Sequence, residues 1–491
     1  MRRSPHIVTA SIRGPARFRL QEGIVRYDRE PSSVSNLIAR ELYQLGVPSH
    51  WIASVDEKVN RQLHAQGCDA IAGAPYRLNL VPISPSDMEL AYDRVSTRML
   101  WYANHNLWPD LPPVRYREGD LTAFRGAFHA INQQYARALA SHCSLQSLVV
   151  THDYQLATTP ALFRQLNRDA PVAHMSYTPF ADASSLSHLP TEVSLAVCRG
   201  SLGADLIGFT SHRWAAHFLS CVELIGAAVD QSTGCVEYSG RRSWVRVYPV
   251  WVNSREVLRR ASSDYSAHWA TSVVSKRPGP IIVRGERLDP AKNALRSFHA
   301  FELVLERMPR LRDTAQYIAC FVPTREAVPE YKWYADEVYA TIERINRRYP
   351  GCIQVYMGDD HERALGLVSQ ADVIVVDSIL DGMNLMAEEA VLVNKVDGVL
   401  VMSAGVGCAD FLGAGAVLVE EPRDIRSIED ALETALTMPL GERRRRAATL
   451  RAAVINAESS LFNRLLADLT LIQEASEPET PWLGGPAVGL L

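Results

Sequence analysis

The sequence predicts an α/β protein of two doubly wound, Rossmann-like domains that face a central cleft. Its 491 residues are too many for a single hydrophobic core. From Pro280 onward, short apolar runs rich in β-branched residues alternate with helical periods, which is the pattern of parallel βαβ units. Ligands of such sheets bind outside the carboxyl ends of the strands. The pattern therefore predicts a cleft-binding protein without naming its ligand.

The second half of the chain is the more regular. Strands are predicted, in order, at PIIVRGE, QYIACFV, CIQVYMG, VIVVDS, GVLVMS and AVLVEE. Helices are predicted between and after them at NALRSFHAFELVLERM, EYKWYADEVYATIERIN, HERALGLVSQ, LMAEEAVLV and SIEDALETALTM. The strands are continuously apolar, as expected for parallel strands that are buried on both faces.

The first half follows the same pattern less regularly. Strands are predicted at HIVTAS, HWIAS, SLVVTHD, PVAHMSY, DLIGFTS and WVRVYPV, and helices at LTAFRGAFHAINQQYARALASH and HRWAAHFLSCVELI. A junction near Val252–Ser263 gives an N-terminal domain over 1–255 and a C-terminal domain over 256–458. A last helix over 459–472 is expected to pack back on the first domain. The tail 473–491, rich in Pro, Gly and Glu, is expected to be disordered.

Composition excludes several classes of function. A net charge of -4 gives no basic surplus for nucleic acid, and the run Arg443–Arg446 is read as a solvated helix face. No apolar stretch approaches the ~20 residues of a membrane span, and the N-terminus lacks the pattern of a secretory signal. The eight cysteines form no CxxC pair, which argues against a zinc site and a disulfide framework. We expect a soluble, cytoplasmic protein without a metal or other cofactor, and leave a homo-oligomer open.

The segment RLDPAKN places Arg287 and Lys292 at the end of the second domain's first strand. Two cations near a helix N-terminus suit a diphosphate leaving group, whose growing charge they would stabilise. The alternative is a pair of surface cations with Asp289 as their partner.

The segment DSILDGMNLMAEEA places Asp381 after a buried strand and Gly382 through Leu385 at the opening of a helix. Its backbone N–H groups could hold sugar hydroxyls or phosphate oxygens, and Glu389 could take a ribose diol. The alternative is an ordinary Asp N-cap followed by a glycine turn.

The segment VVTHDYQL ends a very apolar strand with His152 and Asp153, where polar residues suit function better than packing. A structural hydrogen bond between the two residues is the alternative. The acidic run MGDDH at 357–361 resembles a metal motif, but its position before a helix favours an N-cap.

These segments, in this order, resemble the trehalose-6-phosphate synthase family, glycosyltransferase family 20. GADLIGF, VPTREAVPEY and GVLVMSAGVGCADFLG extend the resemblance from IRGP to the region around Leu440. The resemblance implies the GT-B fold and a retaining transfer of glucose from UDP- or GDP-glucose to glucose 6-phosphate. The two cations of RLDPAKN lead us to expect that this transfer needs no metal.

The resemblance also implies a role for individual residues. Catalysis would involve Asp153 at the reacting sugars, with Arg287 and Lys292 at the donor diphosphate. The donor sugar and ribose would be bound by Asp381, Gly382, Met383, Asn384, Leu385, Glu389 and Tyr177. The acceptor phosphate would be enclosed by Arg13, Tyr92, Trp101 and Arg325.

Several positions depart from the family pattern. Tyr177 replaces a histidine that contacts the donor's hydroxymethyl group, and a second histidine is Gln155. Ser32 and Ser33 replace a glycine pair, Asn293 replaces the glycine after the active-site lysine, and Trp251 stands where glycine is usual. We expect these changes to cluster around the cleft.

The expected function is therefore that of a specialised relative acting in natural-product biosynthesis. It would couple a nucleotide-activated sugar or cyclitol to a phosphorylated sugar, cyclitol or nucleotide. Pseudo-glycosyltransferases of the validoxylamine A 7'-phosphate synthase kind share some of the departures. Two alternatives stay open: an ordinary trehalose-6-phosphate synthase, and a catalytically silent paralogue that binds nucleotide sugars and regulates a partner.

Overall fold

The structure is a computed structural model that describes residues 6–28, 34–65, 76–144, 147–274, 279–457 and 461–473. The chain divides into two compact units. Unit 1 comprises Met1–Asn104, Arg115–Val250 and Ser460–Leu491, and unit 2 comprises His105–Val114 and Trp251–Ser459. Each unit is built on a largely or wholly parallel sheet, so the predicted α/β class with two doubly wound domains is confirmed.

The strands of unit 1 are β1 His6–Ser11, β2 Arg17–Gln21, β3 Ile24–Asp28, β4 Ser49–Asp56, β5 Arg77–Ile83, β6 Ser147–His152, β7 Val172–Ser176, β8 Leu206–Phe209, β9 Ala228–Asp230, β10 Cys235–Tyr238 and β11 Arg241–Val247. Within the described residues, nine of these strands form one sheet in the order β5-β4-β1-β6-β7-β8-β11-β10-β9. The other two, β2 and β3, form a separate hairpin. The pairs from β5 through β11 are parallel, and the β11–β10 and β10–β9 pairs are antiparallel.

The helices of unit 1 before the junction are α1 Val34–Gln44, α2 Glu57–Ala65, α3 Pro85–Met88, α4 Tyr102–Asn104, α5 Glu118–Ala123, α6 His129–His142, α7 Thr159–Leu166, α8 Ala183–Leu186, α9 Thr191–Ser201 and α10 His212–Leu224. The π-helical segment Glu89–Trp101 joins α3 to α4, the π-helical segment Phe124–Phe128 joins α5 to α6, and Tyr154–Leu156 is a 3-10 turn.

The strands of unit 2 are β12 Ile281–Arg287, β13 Gln316–Val322, β14 Ile353–Met357, β15 Val373–Val376, β16 Val399–Ser403 and β17 Val417–Val419. Its helices are α11 Ser254–Ala261, α12 Asp264–Val274, α13 Ala294–Arg307, α14 Pro329–Arg348, α15 His361–Val368, α16 Leu385–Val393, α17 Ala409–Leu412, α18 Ile425–Thr437 and α19 Leu440–Asn456. The 3-10 turns are Trp108–Asp110, Pro290–Lys292 and Pro309–Leu311. The strands described here pair in parallel in the order β14-β13-β12-β15-β16-β17.

Burial on both faces explains the continuous apolar strands of unit 2. Ile282 of β12 and Tyr317 of β13 pack into one hydrophobic cluster, whereas Val283 and Ile318, one residue further along, pack into the other. Because alternate side chains point to opposite faces, a strand between two helical layers needs apolar residues at every position.

The strand order reverses once in each parallel sheet. β12 has β13 on one side and β15 on the other, and β1 has β4 on one side and β6 on the other. In open α/β sheets, ligands bind outside the carboxyl ends of the strands at such a switch point. The loops that follow β12, β15, β1 and β6 are therefore the places to look for a site.

A short segment of the first half, His105–Val114, belongs to unit 2, although the predicted domain 1–255 contains it. The reason is the carboxylate of Asp110, which lies 2.7 Å from the Arg296 guanidinium and 2.9 Å from that of Arg423. The chain enters unit 2 at Trp251, just before the predicted junction.

The last described helix, α20 Leu461–Gln473, packs on unit 1. The Glu41 carboxylate accepts the backbone N–H of Phe462 at 2.8 Å, and the Tyr248 hydroxyl donates to Asp468. The predicted tail, beyond the end of α20, lies outside the described residues. None of the helices in the described ranges is both long and apolar enough to cross a membrane.

Candidate functional site

The switch point of unit 2 brings two predicted residues into contact. Lys292 follows β12 and Asp381 follows β15, and the Lys292 ammonium group contacts the Asp381 carboxylate. Both side chains are largely buried. Burial alone would raise the pKa of Asp381, but Lys292 and further polar partners outweigh it, so the pKa is lowered. An ionised pair therefore stands at the carboxyl edge of the sheet.

Asn384 links this pair to the start of α16. Its side-chain nitrogen donates to Asp381 at 2.8 Å, while its side-chain oxygen caps the helix by accepting the N–H of Ala387 at 3.1 Å. Its φ of +71° is tolerated by asparagine better than by most residues. The cap is thus Asn384, and the alternative that Asp381 is an ordinary N-cap is wrong.

The predicted backbone segment from Gly382 to Leu385 opens α16, as expected. Gly382 and Met383 connect Asp381 to the cap, and Leu385 is the first residue of α16. The carbonyl of Met383 accepts the N–H of Cys408 at 3.2 Å, which holds the segment against the following loop. The N-terminal end of α16 carries a partial positive charge that favours an anion.

Glu389 is buried one turn into α16, and its carboxylate lies 2.9 Å from Nε2 of His361. His361 begins α15, whose N-cap is Asp360, which accepts the N–H of Arg363 at 3.0 Å. The N-cap interpretation of MGDDH is therefore confirmed. Over the described ranges, no cluster of three or more His, Cys, Asp or Glu side chains has the geometry of a metal site.

The other two predicted cations of unit 2 surround Asp289. The Arg325 guanidinium lies 2.8 Å from the Asp289 carboxylate, which also accepts the Tyr331 hydroxyl at 2.9 Å. Burial would raise the pKa of Asp289, but Arg325 and Arg287 outweigh it and the pKa is lowered. Asp289 is therefore engaged chiefly with Arg325. The alternative of a surface Arg287–Lys292 pair sharing Asp289 is wrong for Lys292, which is buried against Asp381.

The switch point of unit 1 carries Arg13 after β1 and Asp153 after β6. The Arg13 guanidinium donates to the Tyr92 hydroxyl at 2.9 Å and lies 5.5 Å from the centre of that ring. A Cβ on Gly14 would come within 2.7 Å of the Ala53 side chain, so this loop runs close to β4. Two of the residues predicted to enclose a phosphate are thus in direct contact.

Trp101 lies at the end of the same π-helical segment as Tyr92. It is buried, and its ring centre lies 5.9 Å from that of Tyr154, next to Asp153. Tyr92 and Trp101 therefore share one helical element, one in contact with the loop after β1 and the other with the turn after β6.

The backbone of Asp153 is strained. Its φ of +69° and ψ of 165° lie in a region that is essentially restricted to glycine. Its N–H donates to the carbonyl of Met175 at 2.6 Å, and one carboxylate oxygen lies 3.4 Å from the Thr178 hydroxyl. Such conformations cost about 1–3 kcal/mol and concentrate at functional sites.

His152 and Tyr177 form a buried group beside Asp153. The ring nitrogens of His152 are engaged by the Tyr177 hydroxyl at 2.9 Å and the Thr9 hydroxyl at 2.6 Å. The predicted alternative of a His152–Asp153 hydrogen bond is therefore wrong. Burial, together with the nearby His174, lowers the pKa of His152 to about 3, so the ring is neutral at neutral pH. The Tyr177 hydroxyl is held by this ring.

The departures from the family pattern are not all at the strand ends. Asn293 has a φ of +63°, which explains why asparagine can replace glycine after Lys292. Trp251, in contrast, packs against Phe411 with ring centres 5.4 Å apart, beside a hydrophobic cluster of unit 2. Trp251 therefore has a packing role in unit 2.

Gln155 is a further departure from the family pattern, and its described contact is made by the backbone. Gln155 accepts a hydrogen bond from Asn132 through its backbone carbonyl, at 3.1 Å. Ser32 and Ser33 lie outside the described residues.

A charged group beneath Lys292 was not among the residues predicted from the sequence. Arg284, Glu286 and Asp377 lie together with almost no exposure. A signal was present: the strand IIVRGER carries charged residues at positions where its neighbours in the sheet are apolar. His105 was also missed, and it acts electrostatically on both Asp289 and Asp381.

Two doubly wound units, each with polar residues at its switch point, are the architecture of the GT-B class of glycosyltransferases. The model of glycosyltransferase family 20 matches residues 4–469, and the chain belongs to that family.

Individual relatives agree with this assignment. A probable UDP-forming alpha,alpha-trehalose-phosphate synthase from Arabidopsis thaliana is 30% identical over 360 residues, covering 70% of this chain and 43% of the relative. The chain thus spans less than half the length of this plant relative. A validamine 7-phosphate valienyltransferase from Streptomyces hygroscopicus subsp. jinggangensis is 27% identical over 435 residues, covering 86% and 85% of the two chains.

A solved structure shares the fold over almost its whole length. It is an alpha,alpha-trehalose-phosphate synthase (UDP-forming) from Burkholderia xenovorans in complex with glucose-6-phosphate. The TM-score is 0.78 at 22% identity, with 95% of this chain and 100% of that chain covered.

Proposed function

We propose that this chain is a retaining, metal-independent glycosyltransferase that couples a UDP- or GDP-activated sugar to a phosphorylated acceptor. The observation that carries this proposal is the Lys292–Asp381 pair at the switch point of unit 2, next to the capped start of α16. A cation, a carboxylate and a helix N-terminus together suit a donor that combines a diphosphate with a hydroxyl-rich sugar.

The donor side rests on Arg287 and Lys292. Charge accumulates on the diphosphate as its bond to the sugar breaks, and fixed cations stabilise that charge in place of a metal. Asp381 would accept sugar hydroxyls, assisted by the backbone from Gly382 to Leu385. Glu389 would bind the ribose, in exchange for part of its contact with His361.

The acceptor side rests on the contact between Arg13 and Tyr92. An arginine beside a tyrosine hydroxyl offers several donors to a phosphate oxygen. Trp101 and Arg325 would complete the phosphate site, and Asp153 would contact the sugars at the reacting centre. Arg325 is the weakest member of this set, because Asp289 already neutralises its charge.

The reaction breaks the bond between the anomeric carbon and the diphosphate oxygen. The acceptor oxygen, or another acceptor atom, forms a new bond to that carbon on the same face. Its proton passes to the departing phosphate oxygen, so no covalent protein intermediate is required. Exclusion of water from the closed site would limit hydrolysis of the donor.

We favour a specialised donor or acceptor, such as a cyclitol or nucleotide phosphate. Tyr177 stands in place of a donor-binding histidine, and its hydroxyl is held by His152. The similarity to a valienyltransferase over most of both chains supports the same reading. The second candidate is an ordinary trehalose-6-phosphate synthase, which is favoured by the names of the plant and Burkholderia relatives.

One measurement separates these candidates. The protein is mixed with UDP- or GDP-glucose and glucose 6-phosphate, and product is followed by mass spectrometry. Efficient turnover supports the second candidate, and its absence supports the first. A thermal-shift screen of UDP- and GDP-sugars, with and without phosphorylated acceptors, then identifies the ligands, because binding to the folded form raises its melting temperature. Binding without any turnover would favour a silent regulatory paralogue.

The variant Arg287→Ala tests the donor site. We expect the transition-state stabilisation, calculated from kcat/KM, to fall by about 3 kcal/mol, because one fixed cation is lost from the transition state. Arg310→Ala, which removes an exposed arginine of the same unit, is the control and should leave kcat/KM unchanged. Equal values of kcat/KM for the two variants would show that Arg287 is not part of the donor site.

A further inference from the structure

Arg284 is a fully buried arginine in β12. Its Nε donates to a Glu286 carboxylate oxygen at 2.7 Å, and its Nη2 donates to the backbone carbonyl of Lys292 at 2.6 Å. The same Nη2 lies 3.3 Å from Oδ1 of Asp377. One guanidinium therefore contacts the end of β12, the loop after it and the residue that follows β15.

Each of these pieces leads to a residue of the donor site. Glu286 directly precedes Arg287, the carbonyl belongs to Lys292 itself, and Asp377 follows β15 on the way to Asp381. Arg284 thus connects the two strand ends of the switch point with the loop between β12 and α13. A planar guanidinium can hold several acceptors in fixed directions, which an ammonium group cannot do.

A neighbouring amide strengthens the same connection. Asn293, directly after Lys292, donates from its side chain to the backbone carbonyl of Asp377 at 3.1 Å. Side-chain hydrogen bonds from Arg284 and Asn293 therefore bridge the ends of β12 and β15 on either side of Lys292.

Stability is a poor explanation for this arrangement. Replacing a buried ion pair by packed apolar residues is often neutral or stabilising, because desolvation offsets the attraction. The group is also incompletely paired, since Nη1 of Arg284 makes no hydrogen bond to the described residues. Burial raises the pKa of Glu286 to about 7 despite the opposing charges of Arg284 and Lys292.

We infer that Arg284 is a positioning residue of the transfer reaction, which holds Arg287 and Lys292 in the geometry that binds the departing diphosphate. The inference rests on the proposed function, because it assigns Arg284 to the same donor site. Arg284 itself is buried beneath the loop and does not touch the substrate.

The test compares Arg284→Lys with a matched control, Arg246→Lys. Arg246 is also a buried arginine in a strand, but in β11 of unit 1, where it donates to the carbonyl of Thr233 at 2.7 Å. For Arg284→Lys we expect kcat to fall about 10- to 100-fold with the acceptor KM unchanged, because small misplacements of positioned groups have effects of this size. Arg246→Lys should lower the melting temperature and leave kcat per folded protein unchanged.

Binding of inorganic pyrophosphate, followed by calorimetry, separates this inference from the proposed function. We expect Arg284→Lys to weaken pyrophosphate binding and Arg246→Lys to preserve it. This result supports the positioning role even if no sugar transfer is found. Pyrophosphate affinity and kcat that both survive in Arg284→Lys would overturn the inference. A wild-type protein that binds none of pyrophosphate, UDP and GDP would overturn both proposals.

Discussion

Asp153 combines a strained backbone with a carboxylate at the switch point of unit 1. Its φ and ψ angles belong to a conformation that glycine adopts freely and other residues avoid. A glycine at this position would fold more easily, but it would lack the carboxylate. The retention of an aspartate in a strained turn beside Tyr177 and Thr178 therefore favours a role for its side chain in the reaction.

We expect Asp153→Gly to keep or gain stability, by up to about 2 kcal/mol, because relief of strain outweighs the greater entropy of the unfolded chain. Its transition-state stabilisation, calculated from kcat/KM, should fall by about 2 kcal/mol through the loss of a charged hydrogen-bond acceptor. Urea denaturation and steady-state kinetics check the two effects. Asp153→Ala is the control, since it loses the carboxylate and keeps the strain. A glycine variant that is less stable than the alanine variant would contradict this account.

Asn293 also has a positive φ, but in a left-handed conformation that strains asparagine little. The left-handed conformation that it adopts is the one for which glycine is usual, and asparagine tolerates it. Its side chain adds hydrogen bonds to the carbonyls of Asp377 and Pro422, at 3.1 and 2.6 Å, which glycine cannot make. This departure from the family pattern therefore preserves the backbone and stiffens the loop that carries Lys292.

At the scale of elements, α20 depends on polar anchors as well as apolar packing. Phe462, Leu465 and Leu469 are buried on unit 1, and Glu41 accepts the N–H of Phe462 at the start of the helix. The Tyr248 hydroxyl donates to Asp468 further along. The helix is thus held at both of these points along its length.

We expect Tyr248→Phe to destabilise unit 1 by about 1–3 kcal/mol, because it removes one partner of a buried hydrogen bond. Tyr43→Phe is the matched control, since Tyr43 is 67% exposed and its hydroxyl is not needed for packing. Chemical denaturation of both variants measures the difference. Equal midpoints would show that the bond to Asp468 does not secure α20.

The elements also show where sequence patterns fail. The strands β2, β3, β9 and β10 were not predicted, and they lie in a hairpin or at the antiparallel edge of the sheet. Their exposed or alternating residues lack the continuous apolar character of central strands. β5, also not predicted, is the other edge strand. Edge strands bury less surface, so their sequences are less constrained.

At the scale of the whole molecule, unit 1 contains two buried histidines, His152 and His174, and the half-buried His50, which are all held neutral. Burial lowers the pKa of His50 and of His174 to about 4 and that of His152 to about 3. His50 also lies 4.0 Å, ring centre to ring centre, from His142. Protonation of these side chains would place charge in an apolar environment, or beside another histidine.

We therefore expect unit 1 to lose stability in mild acid. The unfolded chain binds these protons near pH 6.5, whereas the folded unit binds them only near pH 3–4. The stability that these histidines contribute is complete above pH 6.5 and is lost as the pH falls from 6.5 towards 4. Urea midpoints measured from pH 7.5 to 4.5 test this, and His50→Gln should flatten the dependence. An unchanged slope would exclude His50 as a contributor.

The sequence by itself determined the fold class, the order of the central strands and helices along the chain, and the candidate residues around RLDPAKN, DGMNL and HDY. It could do so because continuous apolar strands and helical periods are local patterns, and because polar residues that follow a buried strand stand out. The family resemblance then predicted roles for these residues, which local patterns left open.

The tertiary structure alone decided which charges meet. It paired Lys292 with Asp381, Arg325 with Asp289 and Glu389 with His361, and it moved His105–Val114 into unit 2. It also revealed Arg284 beneath the loop between β12 and α13 and the strained backbone of Asp153. These features depend on contacts between residues far apart in the chain, and a linear pattern does not encode the partner of a charge or the torsion angles of a turn.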